Sequence, residues 1–162
     1  MCSSDLNAAV TGTLDAPVRF CGDRLDKLFA HVPYSSASGQ WGGIFFTDST
    51  GTALWTIDYA DILSGSIGLY CSGDTTQATH PHLTLSNSRI HNHALYGVVL
   101  ETVDADIWNC EISNCASYLM YLSDGSFTLT HNTIAGYFGY PNSNINIHNV
   151  TRSDVPALYV DT

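Results

Sequence analysis

Basic residues are scarce in this chain. Its 162 residues include five Lys and Arg against 15 Asp and Glu, which gives a net charge of −10 at pH 7. A surface of that charge repels phosphate backbones, so we expect no nucleic acid and no anionic membrane as partner. Acidic polysaccharides are repelled as well, unless a bound cation or a local Arg intervenes.

Long apolar runs are also missing. No run in the chain approaches the roughly 20 residues that cross a bilayer, so no membrane insertion is expected within it. No signal peptide is visible. Charged residues are few, at 12%, whereas Ser, Thr, Asn, Gly and aromatic residues are plentiful. That composition is typical of a β-rich, extracytoplasmic protein, on a bacterial surface or in the periplasm.

The cysteines lack the C-x-x-C spacing of a zinc knuckle. Apart from Cys2, the chain contains Cys21, Cys71, Cys110 and Cys115. Cys71 and Cys110 fall at repeat positions that apolar or small residues occupy elsewhere, which predicts packed free thiols.

Both ends of the chain look cut. Residues 1–6, Met-Cys-Ser-Ser-Asp-Leu, match the translation of a common sequencing-library adaptor, with a natural polar N-terminus as the alternative. The chain ends just after strand-like Leu158-Tyr159-Val160. We therefore expect residues 7–162 to be a partial domain, truncated at both ends, behind a scar that lies outside the fold.

An internal repeat dominates the sequence. Its central isoleucines are spaced 28, 22 and 22 residues apart, and an interval of 22 residues is one turn of a parallel β-helix. The copies are 59–64, 87–92, 109–114 and 131–136, centred on Ile62, Ile90, Ile112 and Ile134.

Two further sets of apolar residues follow the same frame, and each set alternates with outward residues. The first set pairs Trp55/Ile57, Leu83/Leu85, Ala105/Ile107 and Phe127/Leu129. The second pairs Ile44/Phe46, Leu69/Cys71, Val98/Leu100 and Met120/Leu122. Each coil then has three short strands that stack on the next coil about 4.8 Å away. The fold class predicted is all-β: a right-handed parallel β-helix, a single-stranded solenoid of about four coils.

Turns and interruptions complete the frame. Two residues after each isoleucine stand Ser64, Asn92, Asn114 and Gly136, types that favour left-handed or locally capped turns and that could stack as an Asn ladder. Loop excursions are predicted at 21–40 and 140–156. Within the first, residues 23–29 could form one or two helical turns.

Several of these segments resemble a known family. The run 10–20, VTGTLDAPVRF, resembles the first coil of pectin-lyase-like β-helix proteins. Together with 22–26, 32–34, 38–44, 87–92 and 131–138, it resembles a group of uncharacterised bacterial surface lipoproteins over about residues 8–140. The resemblance implies an exported, lipid-anchored parent with preceding β domains. It implies no established reaction.

A charged group lies around the central isoleucines. Asp61, Arg89 and Glu111 immediately precede them on neighbouring coils, and His91 follows one. An Arg between two carboxylates, beside a His, could serve proton abstraction or glycosidic acid–base catalysis. The alternative is a surface charge ladder worth under about 1 kcal/mol per pair.

Four aspartates in the turns after the third strand could gather a calcium ion, if those turns align. They are Asp48, Asp74, Asp104 and Asp124. The alternative is the ordinary preference of Asp for turns. Apart from this possible Ca²⁺, we expect no cofactor.

His80/His82 and His91/His93 have a spacing that could chelate a transition metal, with exposed or loop histidines as the alternative. Aromatic residues outside the core ladders could form a platform for sugar rings, or they are ordinary strand residues. Those residues are Trp41, Tyr59, Trp108, Tyr118, Tyr121, Tyr137 and Tyr140, of which Tyr59, Trp108 and Tyr137 are the predicted carbohydrate-binding residues.

Two functions remain open. The first is a non-catalytic cell-surface or periplasmic module that binds polysaccharide or a cell-surface glycan, or serves as a structural spacer. The second is a fragment of a polysaccharide lyase or glycoside hydrolase that uses Asp61, Arg89, His91 and Glu111. A concave groove holding Glu111 and His91 would favour the enzyme, and a flat ladder would favour the module.

Overall fold

The structure is a computed structural model that describes residues 7–24, 26–136 and 158–161. Its strands are, in chain order, β1 (Ala8–Thr11), β2 (Val18–Phe20), β3 (Lys27–Phe29), β4 (Val32–Pro33), β5 (Ile44–Thr47), β6 (Leu54–Asp58), β7 (Ala60–Leu63), β8 (Leu69–Ser72), β9 (His82–Ser86), β10 (Arg89–His91), β11 (Val98–Glu101), β12 (Asp104–Trp108), β13 (Glu111–Ser113), β14 (Met120–Ser123), β15 (Phe127–Thr130), β16 (Thr133–Ala135) and β17 (Leu158–Asp161). Within those ranges, no helix has the length and apolarity that a membrane crossing requires.

The strands form three parallel sheets that wind around one core, as the repeat predicted. Sheet A is ordered β1-β6-β9-β12-β15, sheet B is β2-β7-β10-β13-β16, and sheet C is β5-β8-β11-β14-β17. Each interior strand of these sheets pairs with the equivalent strands one coil before and one coil after. A coil that buries its apolar side only against its neighbours is the defining feature of a solenoid, and the predicted β-helix is confirmed.

The three predicted inward ladders are confirmed in register. Ile62, Ile90, Ile112 and Ile134 are aligned across sheet B, and the first three are fully buried. The ladders of sheets A and C align as the spacing predicted. Cys71 and Cys110 are buried free thiols among these ladders, and burial raises the pKa of Cys110 to about 11.

Left-handed residues turn the chain between sheets. Ser64, Asn92 and Asn114 have positive φ, and the Asn114 side-chain amide donates to that of Asn92. A second ladder lies between sheets A and B, where Asn109 Nδ2 donates to Asn87 Oδ1 at 2.7 Å. Asn tolerates the left-handed backbone conformation, and its side chain forms a hydrogen bond with the equivalent Asn of the neighbouring coil. The predicted Asn stack is therefore confirmed.

The first excursion differs from its prediction. The described part of the predicted helical segment, residues 23, 24 and 26–29, does not form helical turns, because β3 and β4 pair as an antiparallel hairpin, followed by a short 3₁₀ turn at Tyr34–Ser36. Seven residues are too few for a stable isolated helix, and backbone pairing across Ala30 and His31 satisfies the same groups. Trp41 ends the excursion by donating its indole N–H to Leu63 O at 2.8 Å. The second excursion, 140–156, lies outside the described residues.

Candidate functional site

The predicted charged group is brought together on the outer face of sheet B. Arg89 pairs in register with Asp61 on one side and with Glu111 on the other. The side chains form two separate pairs: Arg89 Nε lies 3.1 Å from Glu111 Oε2, and His91 Nε2 lies 2.9 Å from Asp61 Oδ1. Arg19 adds a third contact, 3.5 Å from Asp61 Oδ2. We call these five residues the charged face.

Both carboxylates of the charged face are held in the ionised form. The hydrogen bond with His91, helped by the charges of Arg89 and Arg19, lowers the pKa of Asp61. Partial burial on its own would raise the pKa of Glu111, but hydrogen bonds from Ser113 and Arg89 outweigh it, and the pKa of Glu111 is lowered. A general acid must hold a proton at its working pH, so neither carboxylate is suited to that role in this arrangement.

The surface around Arg89 is not a groove that joins the four predicted catalytic residues. A shallow, open depression of about 170 Å³ contacts Arg89 and Glu111, together with Asn87, Asn109, His131 and Thr133. His91 and Asp61 do not line it. The charged face therefore has the geometry of a ladder of neighbouring ion pairs, about half exposed at Arg89 and Glu111.

The four predicted calcium ligands do not meet. Asp48 and Asp124 occupy equivalent positions after sheet C, but Gly73 and Thr102 fill that position on the two coils between them. Asp74 lies one residue further along its own turn, and Asp104 begins β12. The turns differ in length, so aspartates that look equivalent in the sequence fall out of register. In the described part of the chain, no three His, Cys, Asp or Glu side chains are grouped to hold a metal ion.

Asp48 instead organises its own turn. It is 3% exposed, and Oδ1 accepts the backbone N–H of Thr50 at 2.8 Å and its hydroxyl at 2.7 Å. Oδ2 accepts the N–H groups of Thr52 and Ala53, both at 2.8 Å. Burial alone would raise the pKa of Asp48, but these hydrogen bonds outweigh it and lower the pKa.

Replacing Asp48 by Asn is expected to lower the free energy of unfolding by about 2 kcal/mol at pH 7, because one buried acceptor oxygen becomes an N–H₂ group that faces donors. Urea denaturation measures this. Asp74→Asn is the matched control, since Asp74 accepts only from Thr76 at an exposed position, and its cost should be within about 0.5 kcal/mol. Equal losses in the two variants would show that Asp48 is an ordinary turn residue.

The histidines do not form chelating pairs. His80 and His82 each lie 3.2 Å from an aspartate of β12, Asp104 and Asp106 respectively. His91 bonds Asp61 on the outer face, whereas His93 points inward and is 1% exposed. His93 lies in the loop between β10 and β11, as one of the two expected alternatives had it, but it is buried and not exposed.

Both ring nitrogens of His93 form hydrogen bonds with the backbone of the adjacent coil. Its Nδ1 accepts the N–H of Gly65 at 3.1 Å and its Nε2 lies 3.1 Å from Ile62 O, to which it donates. Burial lowers the pKa of His93 to about 4, so the imidazole is neutral. A Cβ atom at Gly68 would lie only 2.8 Å from His93 Nε2, which is too close, so glycine at this position leaves space for the imidazole ring. The signal in the sequence is the alignment of His93 with Gly65, one residue after the left-handed turn position.

The predicted carbohydrate-binding residues do not form one platform. Trp108 is 39% exposed at the end of β12, where its register partners are Ser86 and Thr130. Tyr59 lies in a left-handed turn two coils away, aligned with Asn87 and Asn109 rather than with Trp108. Tyr137 lies outside the described residues.

Aromatic rings are instead concentrated along sheet C. Phe45 and Tyr70 are register neighbours on its outer face, with ring centroids 5.7 Å apart. Tyr96 and Tyr118 stack at 6.0 Å with their planes 9° apart, where the chain approaches the sheet, and Tyr118 and Tyr121 are 6.1 Å apart at 47°. We call these five residues the aromatic face. Tyr118 and Tyr121 were among the sequence candidates, but the stacking between coils was not foreseen.

Polar residues lie beside the aromatic face. The outer positions two residues further along each strand are Thr47, Ser72, Glu101 and Ser123. The Tyr70 hydroxyl donates to Glu101 Oε2, and this hydrogen bond raises the pKa of Tyr70. The five strands of sheet C contain no Lys, Arg or His. The outer surface of sheet C is therefore aromatic, hydroxylic and acidic.

A family model described as a right-handed beta helix region matches residues 42–155. Comparisons with curated proteins and with solved structures gave no match. The matched range includes most coils of the three sheets, and its description agrees with the parallel stacking and the inward ladders described above. The chain belongs to the family of right-handed β-helix proteins.

Proposed function

We propose that the chain is a non-catalytic, glycan-binding β-helix module that acts outside the cytoplasm. The observation that carries the proposal is the aromatic face, in which the Tyr118 ring lies against those of Tyr96 and Tyr121, and the rings of Phe45 and Tyr70 form a second pair on sheet C. Tyrosine combines an apolar ring with a polar hydroxyl. Sugar rings have the complementary surface, with apolar C–H faces and polar edges.

The dimensions of the face suit an extended chain of sugars. Register neighbours on sheet C lie about 4.8 Å apart along the solenoid axis, a spacing comparable to the width of a sugar ring. Phe45, Tyr70, Val99 and Tyr121 occupy this line on successive coils. The hydroxyl and carboxylate groups beside them can bond to sugar hydroxyls. A glycan lying parallel to the axis would thus meet rings and polar groups repeatedly.

An enzymatic function has one specific observation in its favour, the depression beside Arg89 and Glu111. The ionised, paired state of both carboxylates argues against it. The test is to incubate the protein with each glycan and analyse the products by mass spectrometry. Cleavage that Glu111→Gln abolishes would favour a lyase or glycoside hydrolase, and intact glycans favour the binding module.

The location outside the cytoplasm stays a prediction, supported by the low content of charged residues and the abundance of Ser, Thr, Asn and Gly. The lipid-anchored parent implied by the resemblance to surface lipoproteins is also a prediction. Fractionation of the native cells, with detection of the full-length parent in membrane, periplasmic and cytosolic fractions, checks both.

Tyr118→Ala is expected to weaken glycan binding by about tenfold or more, because Tyr118 contacts both Tyr96 and Tyr121 and its loss separates the two remaining rings. The glycan is chosen from a panel of neutral, amino-bearing and uronate-bearing oligosaccharides. Isothermal titration calorimetry of the best binder then compares the variant with the wild type.

The matched control is Trp108→Ala, which removes an exposed aromatic side chain from sheet A. It should bind as the wild type does, and circular dichroism should show that both variants keep the fold. If Trp108→Ala loses binding while Tyr118→Ala does not, the site is on sheet A. If the wild type binds no glycan of the panel, the proposed function is wrong.

A further inference from the structure

We infer that the depression beside Arg89 is a second binding site, which takes a single neutral sugar ring through its adjacent hydroxyl groups. The depression lies at the turn between sheets A and B, whereas the aromatic face lies on sheet C. The inference therefore goes beyond the proposed function and does not depend on it. It is carried by the side-chain amide of Asn109, which lines the depression together with the paired side chains of Arg89 and Glu111.

The amide ladder at this turn has a direction that its first residue fixes. Asp58 Oδ1 accepts from Asn87 Nδ2 at 2.7 Å, and Asn87 Oδ1 accepts from Asn109 Nδ2 at 2.7 Å. Because an ionised carboxylate only accepts hydrogen bonds, each amide must present its N–H₂ group to the residue before it. Asn109 Oδ1 is then the end of the ladder, and no donor among the described residues bonds to it. Hydrogen bonds in a chain polarise one another, so this oxygen is a strong acceptor.

The pair of Arg89 and Glu111 adds donors and acceptors to the same depression. Arg89 Nε lies 3.1 Å from Glu111 Oε2, which leaves the two terminal nitrogens of the guanidinium without a partner among the described residues. Glu111 Oε1 accepts from Ser113 Oγ at 2.9 Å, and each carboxylate oxygen can accept a further hydrogen bond. A sugar hydroxyl both donates and accepts, so adjacent hydroxyls on a ring match donors and acceptors that stand side by side.

The size and the charge of the depression select the class of ligand. Its volume of about 170 Å³ is below the range of about 300–1,000 Å³ that holds drug-sized ligands, so it suits one ring and not an oligosaccharide. Glu111 would repel a carboxylate of the ligand and Arg89 would repel an ammonium group, which leaves a neutral ring. The imidazole of His131 and the hydroxyl of Thr133 complete the lining, and both can bond to sugar hydroxyls.

The test compares three methyl glycosides that differ only in the group at the end of the sugar: methyl β-glucoside, its uronate and its 6-amino-6-deoxy derivative. Each is titrated into the protein and followed by two-dimensional ¹H–¹⁵N NMR. We expect methyl β-glucoside to shift the side-chain amide signals of Asn87 and Asn109 to saturation, with a Kd on the order of 1 mM, as expected for so small a ligand. The two charged glycosides should bind at least about fivefold more weakly.

Asn109→Gly should weaken binding of methyl β-glucoside about tenfold, because it removes the amide that ends the ladder. Asn114→Gly is the matched control and should bind as the wild type does. Both residues have positive φ, 53° and 51°, which glycine adopts without strain, and both substitutions remove one hydrogen bond between asparagines of neighbouring coils. Asn114 does not line the depression. Circular dichroism checks that both variants keep the fold.

Arg89→Lys is a second variant, which keeps the positive charge but replaces the planar guanidinium by one ammonium group. It should weaken binding about fivefold. No saturable shift of the Asn109 signals, tighter binding of either charged glycoside, or unchanged affinity in Asn109→Gly or Arg89→Lys would each overturn the inference. None of these outcomes bears on the aromatic face, which Tyr118→Ala tests with the oligosaccharide panel.

Discussion

Replacement of Ile90 by Ala is expected to lower the free energy of unfolding by about 4 kcal/mol, the largest effect of any single substitution considered for this protein. Ile90 is fully buried and lies in the centre of sheet B, between Ile62 and Ile112 in register. Truncation removes three methyl or methylene carbons from a position enclosed by coils on both sides. A solenoid core cannot collapse into such a cavity without breaking the register of its coils, so the upper part of the usual range applies.

Ile134→Ala is the matched control for this prediction. Ile134 occupies the same ladder on β16, next to Ile112, but is only partly buried. Its truncation should cost about 1–2 kcal/mol, since less apolar surface is transferred to water. Urea denaturation followed by circular dichroism measures both variants. Equal losses at the two positions would contradict a core in which the interior coils carry most of the stability.

The inward half of this fold could be predicted from the sequence because each ladder repeats one chemical requirement. Ile62, Ile90, Ile112 and Ile134 must all be apolar, so their spacing is visible without any structure. The turns are visible for the same reason, since Asn92 and Asn114 meet one backbone requirement on successive coils. Each coil of a solenoid must meet the same packing and turn requirements, so the residues that meet them recur at a regular interval in the sequence.

The outer positions of the strands show no comparable repeat in the sequence, because no packing requirement makes equivalent outer residues alike. The aromatic face illustrates this, since Phe45, Tyr70 and Tyr121 share a line with Val99, and their contacts with Tyr96 and Tyr118 depend on how the chain approaches sheet C. The calcium prediction failed for a related reason. Unequal turns moved Asp74 and Asp104 away from the position that Asp48 and Asp124 share, and composition alone does not give turn geometry.

The sequence correctly predicted that the residues of the charged face lie close together, but it did not predict which of their side chains bond to one another. Register placed Arg89 between Asp61 and Glu111, and the structure shows that proximity. What the sequence could not show was the choice of partners, in which Arg89 bonds to Glu111 while His91 bonds to Asp61. These hydrogen bonds contribute to the lowered pKa of both carboxylates. The residue types that suggested catalysis are thus held in side-chain pairs with one another.

Acidification from pH 7 to pH 4 is expected to destabilise the protein by roughly 3 kcal/mol through His93 alone. Burial lowers the pKa of His93 to about 4 in the folded protein, against the ordinary value of 6.5 for the unfolded chain. Above pH 6.5 the residue is neutral in both states and contributes no dependence on pH. As the pH falls below 6.5 the unfolded state takes up a proton that the folded state refuses, so stability is lost progressively until the folded pKa is reached.

The physical reason is that both nitrogens of His93 are committed. Protonation would place a hydrogen on Nδ1, which accepts the N–H of Gly65, and would put a charge in a site that is 1% exposed. Of the neighbouring groups, Cys115 cannot compensate, because burial raises its pKa to about 11 and it stays neutral. His91 stands on the outer face beside Asp61, and its cationic form would only add repulsion.

The measurement is the free energy of unfolding, from urea denaturation at several pH values between 7.5 and 4, for the wild type and for His93→Gln. Titration of the carboxylates and of the other histidines occurs in both proteins and cancels in the difference. We expect His93→Gln to be less stable at pH 7.5, because its amide does not reproduce the ring contacts with Ile62 and Gly65. Its stability should fall less between pH 6.5 and pH 4, so that the two curves converge on acidification. Parallel curves over that interval would mean that His93 titrates alike in the folded and unfolded states. The conclusion that its imidazole is neutral in the folded protein would then be wrong.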